Sequence, residues 1–140
     1  MYLLDTSIVS NYLDKRRNIP QLTERILSTD PELIFISIIT VEEIIQGALA
    51  TVQRVRQKPS VTDAYRYFSE LFSALHYFQI LPYTIEAETI YQSLSPKTKR
   101  IGTQDCRIAA IACSKGYILV TANVADFEKI GNLQIEDWTQ

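Results

Sequence analysis

The sequence predicts an α/β fold, with a parallel central sheet and helices on both of its faces. Three observations carry this. Short, almost wholly apolar runs recur at Tyr2 to Leu4, Leu33 to Ile36, Phe78 to Leu81 and Tyr117 to Val120. Runs of that kind suit strands buried on both faces. Longer stretches with helical spacing separate them, and strand alternating with helix argues for parallel pairing through crossover helices. The 140 residues match one ordinary domain, 1–140, and a 46% hydrophobic composition is enough for one sizeable core.

In chain order, Tyr2-Leu3-Leu4 forms the first strand and delivers Asp5-Thr6-Ser7 to a strand-to-helix turn. Ser7 to Leu13 is a short helix, Asp14 to Asn18 a turn, and Leu22 to Leu27 a second helical piece broken by Thr29-Asp30-Pro31. After the second strand, Ser37 to Thr40 leads into a strong helix from about Val41 to Val52. Its Val41, Ile44, Ile45, Ala48, Leu49 and Val52 follow helical spacing. Arg54 to Ser60 is a polar loop. Thr62 to His76 is a longer helix whose Tyr65, Phe68, Leu71, Phe72 and Leu75 make a stripe suited to a core or a partner surface. His76, the single histidine, is read as structural. The third strand ends at Pro82. Thr84 caps a helix running to about Leu94, with Glu86 and Glu88 in its early turns. Ser95 to Thr103 is a loop. Gln104 to Ser114 is a small-residue helix stopped at Lys115-Gly116. The fourth strand follows, then a turn with a short helix over Thr121 to Phe127, a last short strand at Leu133 to Ile135, and a tail from Glu136 to Gln140.

No apolar run approaches the ~18 residues of a membrane span, and no basic, apolar signal segment precedes the first acid. A soluble, non-exported protein of a reducing cytoplasm is therefore expected. Cys106 and Cys113 lie about two helical turns apart, too far to bridge each other. The net charge of -2 is not the footprint of a typical basic DNA-binding module. Basic residues nevertheless clump at Lys15-Arg16-Arg17, at Arg54, Arg56 and Lys58, and at Lys97, Lys99, Arg100 and Arg107. Around an acidic pocket, such clumps suit a phosphate backbone.

Open parallel sheets place their sites beyond the carboxyl ends of the strands, and this selects among the acids. Asp5 follows the first strand. Glu42 and Glu43 open the helix after the second, and only one of them can face the crevice. Asp105 opens the small-residue helix, and Asp126 lies just past the fourth strand. Each has an ordinary alternative as a cap, a helix charge or a turn residue. Glu70, Glu86, Glu88 and Glu136 fall on helix bodies or the tail. Carboxylates crowded on one edge repel one another unless a cation binds between them. An oxygen-only set suits magnesium, or manganese in its place, and the lack of a histidine-rich set argues against zinc. Magnesium in an acid cluster supports phosphodiester hydrolysis by a bound water.

Four stretches in order carry a resemblance. They are Leu4-Asp5-Thr6-Ser7, Ser37-Ile38-Ile39-Thr40-Val41-Glu42-Glu43-Ile44-Ile45-Gln46-Gly47, Ile101-Gly102-Thr103-Gln104-Asp105-Cys106-Arg107-Ile108-Ala109-Ala110, and Val120-Thr121-Ala122-Asn123-Val124-Ala125-Asp126-Phe127. Together they resemble the PIN domain, and within it the VapC toxins of prokaryotic toxin–antitoxin pairs. The ending Ile135-Glu136-Asp137-Trp138 is also similar. The resemblance implies a PIN-like fold and a magnesium-dependent endoribonuclease. It implies catalytic acids at Asp5, Glu43, Asp105 and Asp126, with Asp5 and Asp105 as the main metal ligands. It selects Glu43 over Glu42, because the family's acid stands four residues before the helix glycine. Thr6 and Thr121 match hydroxyl positions that orient carboxylates. Asn123 stands where many members carry another aspartate, and Ser7 replaces a frequent asparagine. The resemblance further implies an RNA substrate, a homodimer, and a cognate antitoxin lying across the groove.

Three other classes compete: an aspartate-nucleophile phosphatase, a DNA nuclease of the same fold, and a PIN-like binding module without catalysis. The phosphatase signature wants an aspartate where Ser7 stands. The binding module sits poorly with four retained acids. No Gly-x-Gly-x-x-Gly or phosphate loop supports a nucleotide binder.

Overall fold

The structure, a computed structural model, describes residues 1–140. Five strands, β1 (Tyr2–Leu4), β2 (Ile34–Ser37), β3 (Gln79–Leu81), β4 (Ile118–Val120) and β5 (Ile135–Glu136), form one sheet in the order β3-β2-β1-β4-β5. Every neighbouring pair is parallel. Leu4 is opposite Ile36 on one side and Val120 on the other. Helices α1 (Thr6–Leu13) and α2 (Pro20–Ser28) connect β1 to β2, and α3 (Ile38–Arg54) and α4 (Val61–His76) connect β2 to β3. Helices α5 (Ile85–Ser93), α6 (Pro96–Lys99) and α7 (Thr103–Lys115) carry the chain across to β4, and α8 (Val124–Phe127) precedes β5.

The strands are short but apolar throughout because both faces are covered. Side chains alternate across a strand, and the two cores sort accordingly. Leu3, Phe35 and Leu119 face a layer built from Ile108, Ala109, Ile111, Ala112 and Ala87. Leu4, Ile34, Ile36 and Val120 face Ile8, Val9, Leu22, Ile26, Leu75 and Phe78. Each fully buried leucine or isoleucine contributes ~1.5–3 kcal/mol by leaving water. The alanines of α7 let that helix lie close to the sheet and to α5. Gly116 ends α7 in the left-handed conformation, at φ 69°.

Several boundaries differ from the expectation, each for a local reason. Helix α3 begins at Ile38, three residues before Val41, because the Ser37 hydroxyl caps the Thr40 amide at 3.0 Å. Ile38-Ile39-Thr40 therefore turns as helix despite its β-branched residues. The loop Ser95 to Thr103 contains α6, with Ser95 as its cap and Pro96 at its first position. Glu136 is not tail but strand, in β5. The residues after it are not loose either: the Trp138 ring is buried, edge-on to Tyr2 at 5.0 Å and beneath Arg25 at 4.7 Å. The stripe on α4 divides. Leu71 and Leu75 are buried, whereas Tyr65 and Phe72 are exposed. His76 is exposed in the last turn of α4, so it is not a core residue. Cys106 and Cys113 are both free thiols.

Candidate functional site

The chain runs from β1 outward to β3, then returns to the other side of β1 for β4 and β5. The direction of winding therefore reverses between β1 and β4, where open α/β sheets form their crevices. Asp5 and Thr121 are the first residues beyond those two strands. Asp5 is 3% exposed. Its Oδ1 accepts from Ser7 Oγ at 2.7 Å and from the Ile8 amide at 3.0 Å, and its Oδ2 accepts from Thr121 Oγ1 at 2.5 Å. The cap of α1 and the crevice carboxylate are thus one side chain. Burial pushes its pKa up, against the opposing pull of the Ser7, Thr121 and Ile8 donors. Thr121 Oγ1 also accepts the Asn123 amide at 2.9 Å.

Glu43 lies in the second turn of α3, and its Oε1 accepts from Thr6 Oγ1 at 2.6 Å. Thr6 and Thr40 hydroxyls are 2.9 Å apart, and Ser37 Oγ donates to Thr40 Oγ1 at 3.4 Å. A hydroxyl has one proton. With the Thr6 proton given to Glu43, Thr40 donates to Thr6 and Ser37 to Thr40. The chain of hydroxyls is therefore directed at Glu43 from the fully buried Ser37 and Thr40. Thr40 and Ser37 were missed as site residues. The Ser-x-x-Thr spacing ahead of an apolar helix was the available signal, because it marks a capped N-terminus.

Asp105 is the third residue of α7, and its carboxylate accepts no hydrogen bond from the protein. Its pKa is raised to about 6, chiefly by burial and then by the charges of Asp5, Glu43 and Asp126. The neighbouring turn is made by Gly102 at φ 125°, a conformation that favours glycine. A Cβ there would lie 3.9 Å from Asp105 Oδ2. Asp126, the third residue of α8, has a 41% exposed side chain and faces Lys129 Nζ at 3.8 Å. Asn123 precedes α8 with its side chain exposed. Glu42 is exposed and accepts from Gln104 Nε2 at 2.9 Å. Of the acids set aside, Glu86 and Glu70 are exposed on helix bodies, Glu88 accepts from the Tyr83 hydroxyl, and Glu136 contacts Arg25.

The fold thus brings Asp5, Glu43 and Asp126 within electrostatic reach of Asp105 on one edge of the sheet. As the side chains stand, no three histidine, cysteine or acidic groups close on one point. Magnesium needs only one or two carboxylates, completing its shell with water and substrate oxygens. The donor chemistry fits such a hard cation: all the donors are oxygen, and Asp105 is opposed by like charges and served by no protein donor.

Fold and site together define a doubly wound α/β protein with an acidic crevice at its topological switch point. The PIN domain family model matches residues 2–133. Ribonuclease VapC2 of Haemophilus influenzae is 33% identical over 137 residues, covering 98% of this chain and 97% of that protein. The tRNA(fMet)-specific endonuclease VapC of Shigella flexneri is 28% identical over 142 residues, with 99% and 98% coverage. Among solved structures, the DNA-bound VapBC of Salmonella typhimurium superposes with a TM-score of 0.77 at 26% identity, over 98% of this chain and 97% of that one. The chain belongs to the PIN domain family, and its relatives there are VapC ribonucleases. No helix is long and apolar enough to cross a membrane.

Proposed function

We propose that this protein is an endoribonuclease that hydrolyses RNA phosphodiester bonds in a divalent-metal-dependent reaction, and that it is the toxin of a toxin–antitoxin pair. The observation that carries the reading is Asp105, a carboxylate with no protein donor, held up near pKa 6 by burial and three neighbouring acids. Its relatives' activity as ribonucleases supports RNA as substrate. Asp5 and Asp105 would hold a magnesium or manganese ion. When bound, that ion supplies positive charge beside the scissile phosphate and makes a bound water acidic.

The remaining work falls to the chain's own side chains. Thr121, Ser7 and the Ile8 amide hold the Asp5 carboxylate in one orientation. Thr6 holds Glu43 by Oε1 and leaves Oε2 to take a proton from the attacking water. The Ser37–Thr40–Thr6 chain fixes the orientation of the Glu43 carboxylate by donating toward it. Asp126 adds negative charge at the mouth of the crevice, and Asn123 gives it a neutral polar neighbour.

The VapBC assembly of the Salmonella relative supports a cognate antitoxin as partner. The exposed Tyr65 and Phe72, two turns apart on one side of α4, offer an apolar face for it, and a homodimer is part of the same proposal. The test is cleavage of total cellular RNA by the purified protein, with magnesium, with chelator, and with Asp5→Asn. Discrete cuts that require both magnesium and Asp5 are expected. A folded, antitoxin-free protein that cuts neither RNA nor DNA would favour the binding-module reading.

A further inference from the structure

A groove of about 690 Å³ leaves the acidic crevice at Thr6 and Glu43 and runs between α1, α3 and the start of α4. Its floor is one face of α3. Glu43, Gly47, Ala48, Thr51, Arg54 and Val55 all line it, and the distance from Glu43 to Arg54 along the helix is ~16 Å. Ser10, Arg16 and Arg17 form one wall, and Tyr67 of α4 stands on the other, 46% exposed.

The floor contains a residue that the fold does not require. Gly47 sits inside a helix, where glycine is destabilising by ~0.5–1 kcal/mol relative to alanine. A Cβ at Gly47 would meet nothing within 4 Å. No packing contact of the chain accounts for the missing side chain.

The charges say what kind of molecule. Two acids line the groove beyond Glu43. Asp14 is matched by Arg16 at 3.1 Å and Asp63 by Arg66 at 3.1 Å. Arg17 reaches Asp14 at 3.5 Å and Asn11 Oδ1 at 2.7 Å. Arg54 forms no ion pair or hydrogen bond. The groove therefore starts at Glu43, on the edge of the acidic crevice, and ends at the Arg54 guanidinium, which has no acid in ion-pair contact. An exposed tyrosine stands between them.

We propose that this groove holds the single RNA strand on one side of the scissile phosphate. Arg54 and Arg17 contact its backbone, Tyr67 stacks on a base, and Gly47 lets the strand lie against α3. A space between adjacent helices admits one strand and not a duplex, and unstacked bases are what aromatic side chains engage. The inference rests on the ribonuclease reading above and adds to it a substrate form and a binding path.

The test uses a long oligoribonucleotide carrying the enzyme's own cut site, and two versions trimmed to one nucleotide beyond the cut on either side. Arg17→Ala with Arg54→Ala should lower kcat/KM on the long RNA about tenfold or more, and reduce the salt slope of binding by about one per arginine. Tyr67→Ala should lower it about fivefold or more. Gly47→Leu should impair cleavage of the long RNA while Tm holds or rises, which a structural role for Gly47 would not produce. One trimmed substrate should be cut equally by all variants, and it names the side of the cut that the groove holds. If wild-type protein cuts no RNA, the ribonuclease reading fails. If wild-type cuts and the variants match it on every substrate, only the groove assignment is overturned, and a protein segment becomes its occupant.

Discussion

Replacing Asp105 with asparagine should make the metal-free protein more stable while removing its cleavage activity. In the unfolded chain an aspartate is ionised above about pH 4. In the fold, Asp105 keeps its proton to about pH 6, because of burial and of Asp5, Glu43 and Asp126. Between those values the folded state binds more protons than the unfolded one. Stability is therefore fully present below pH 4 and is lost as pH rises through 6. Each pKa unit corresponds to ~1.4 kcal/mol, which sets an upper figure of ~3 kcal/mol. Asp105 is only half-buried, and solvent screening brings this to ~1–2 kcal/mol. Removing an anion from the first turn of α7 costs ~0.3–1 kcal/mol through the helix dipole. Like-charge relief is the larger effect, so Asp105→Asn should gain ~1 kcal/mol at pH 7, or a few degrees in Tm. Differential scanning fluorimetry with chelator at pH 4, 5, 6 and 7 should show the difference from wild type growing with pH. Magnesium should reverse the order, because a ligand at a hundred times its Kd stabilises the wild type by ~2.7 kcal/mol. An Asp105→Asn protein no more stable than wild type without metal, at any pH, would refute the crowded-carboxylate account.

Two further outcomes follow from the same geometry. Glu43→Gln keeps an acceptor for Thr6 but loses the base, so the cleavage rate should fall by roughly 10²-fold or more, while Glu42→Gln, which touches only Gln104 on the surface, should stay within a few-fold of wild type. Equal loss at both would undo the choice between these neighbours. Thr121→Val removes the donor to buried Asp5 Oδ2 and the acceptor of the Asn123 amide, and should cost ~2–3 kcal/mol in urea unfolding as well as activity.

The edge of the sheet was legible because its signals are local. A short apolar run says strand, and the polar residue after it says where the strand stops. Asp5 and Asp126 were read by that rule, and Asp105 by its place at the start of the small-residue helix. The choice of Glu43 over Glu42 was not open to it, since adjacent helix residues differ only in which way they point. In the structure Glu43 turns to Thr6 across 37 positions of sequence, and Glu42 turns to Gln104. The hydroxyl chain behind Glu43 was hidden for a related reason. Ser37 and Thr40 have an obvious local use as cap and capped residue, and only the packing of α1 onto α3 gives them a second use. The groove to Arg54 was hidden too, because Arg16, Arg17 and Arg54 belong to separate basic clumps that tertiary structure alone joins.

The site's four acids are supported unequally, and the inequality carries meaning. Asp5 is the most buried, and burying a carboxylate is expensive unless donors surround it. It has three, shared between its two oxygens. Glu43 has one donor, backed by two more hydroxyls aimed the same way. Asp126 has the solvent and Lys129. Asp105 has none, although it is partly buried and faced by the other three. Removing one donor from Asp5 would leave a buried charge short of compensation, so its position is fixed by the fold. The charge on Asp105 finds no such compensation inside the chain, and the protein would be more stable without it. A fold that holds one carboxylate rigidly and leaves its neighbour electrostatically unsatisfied keeps an acidic crevice ready for a cation brought from outside, at a cost to the empty protein of about 1 kcal/mol.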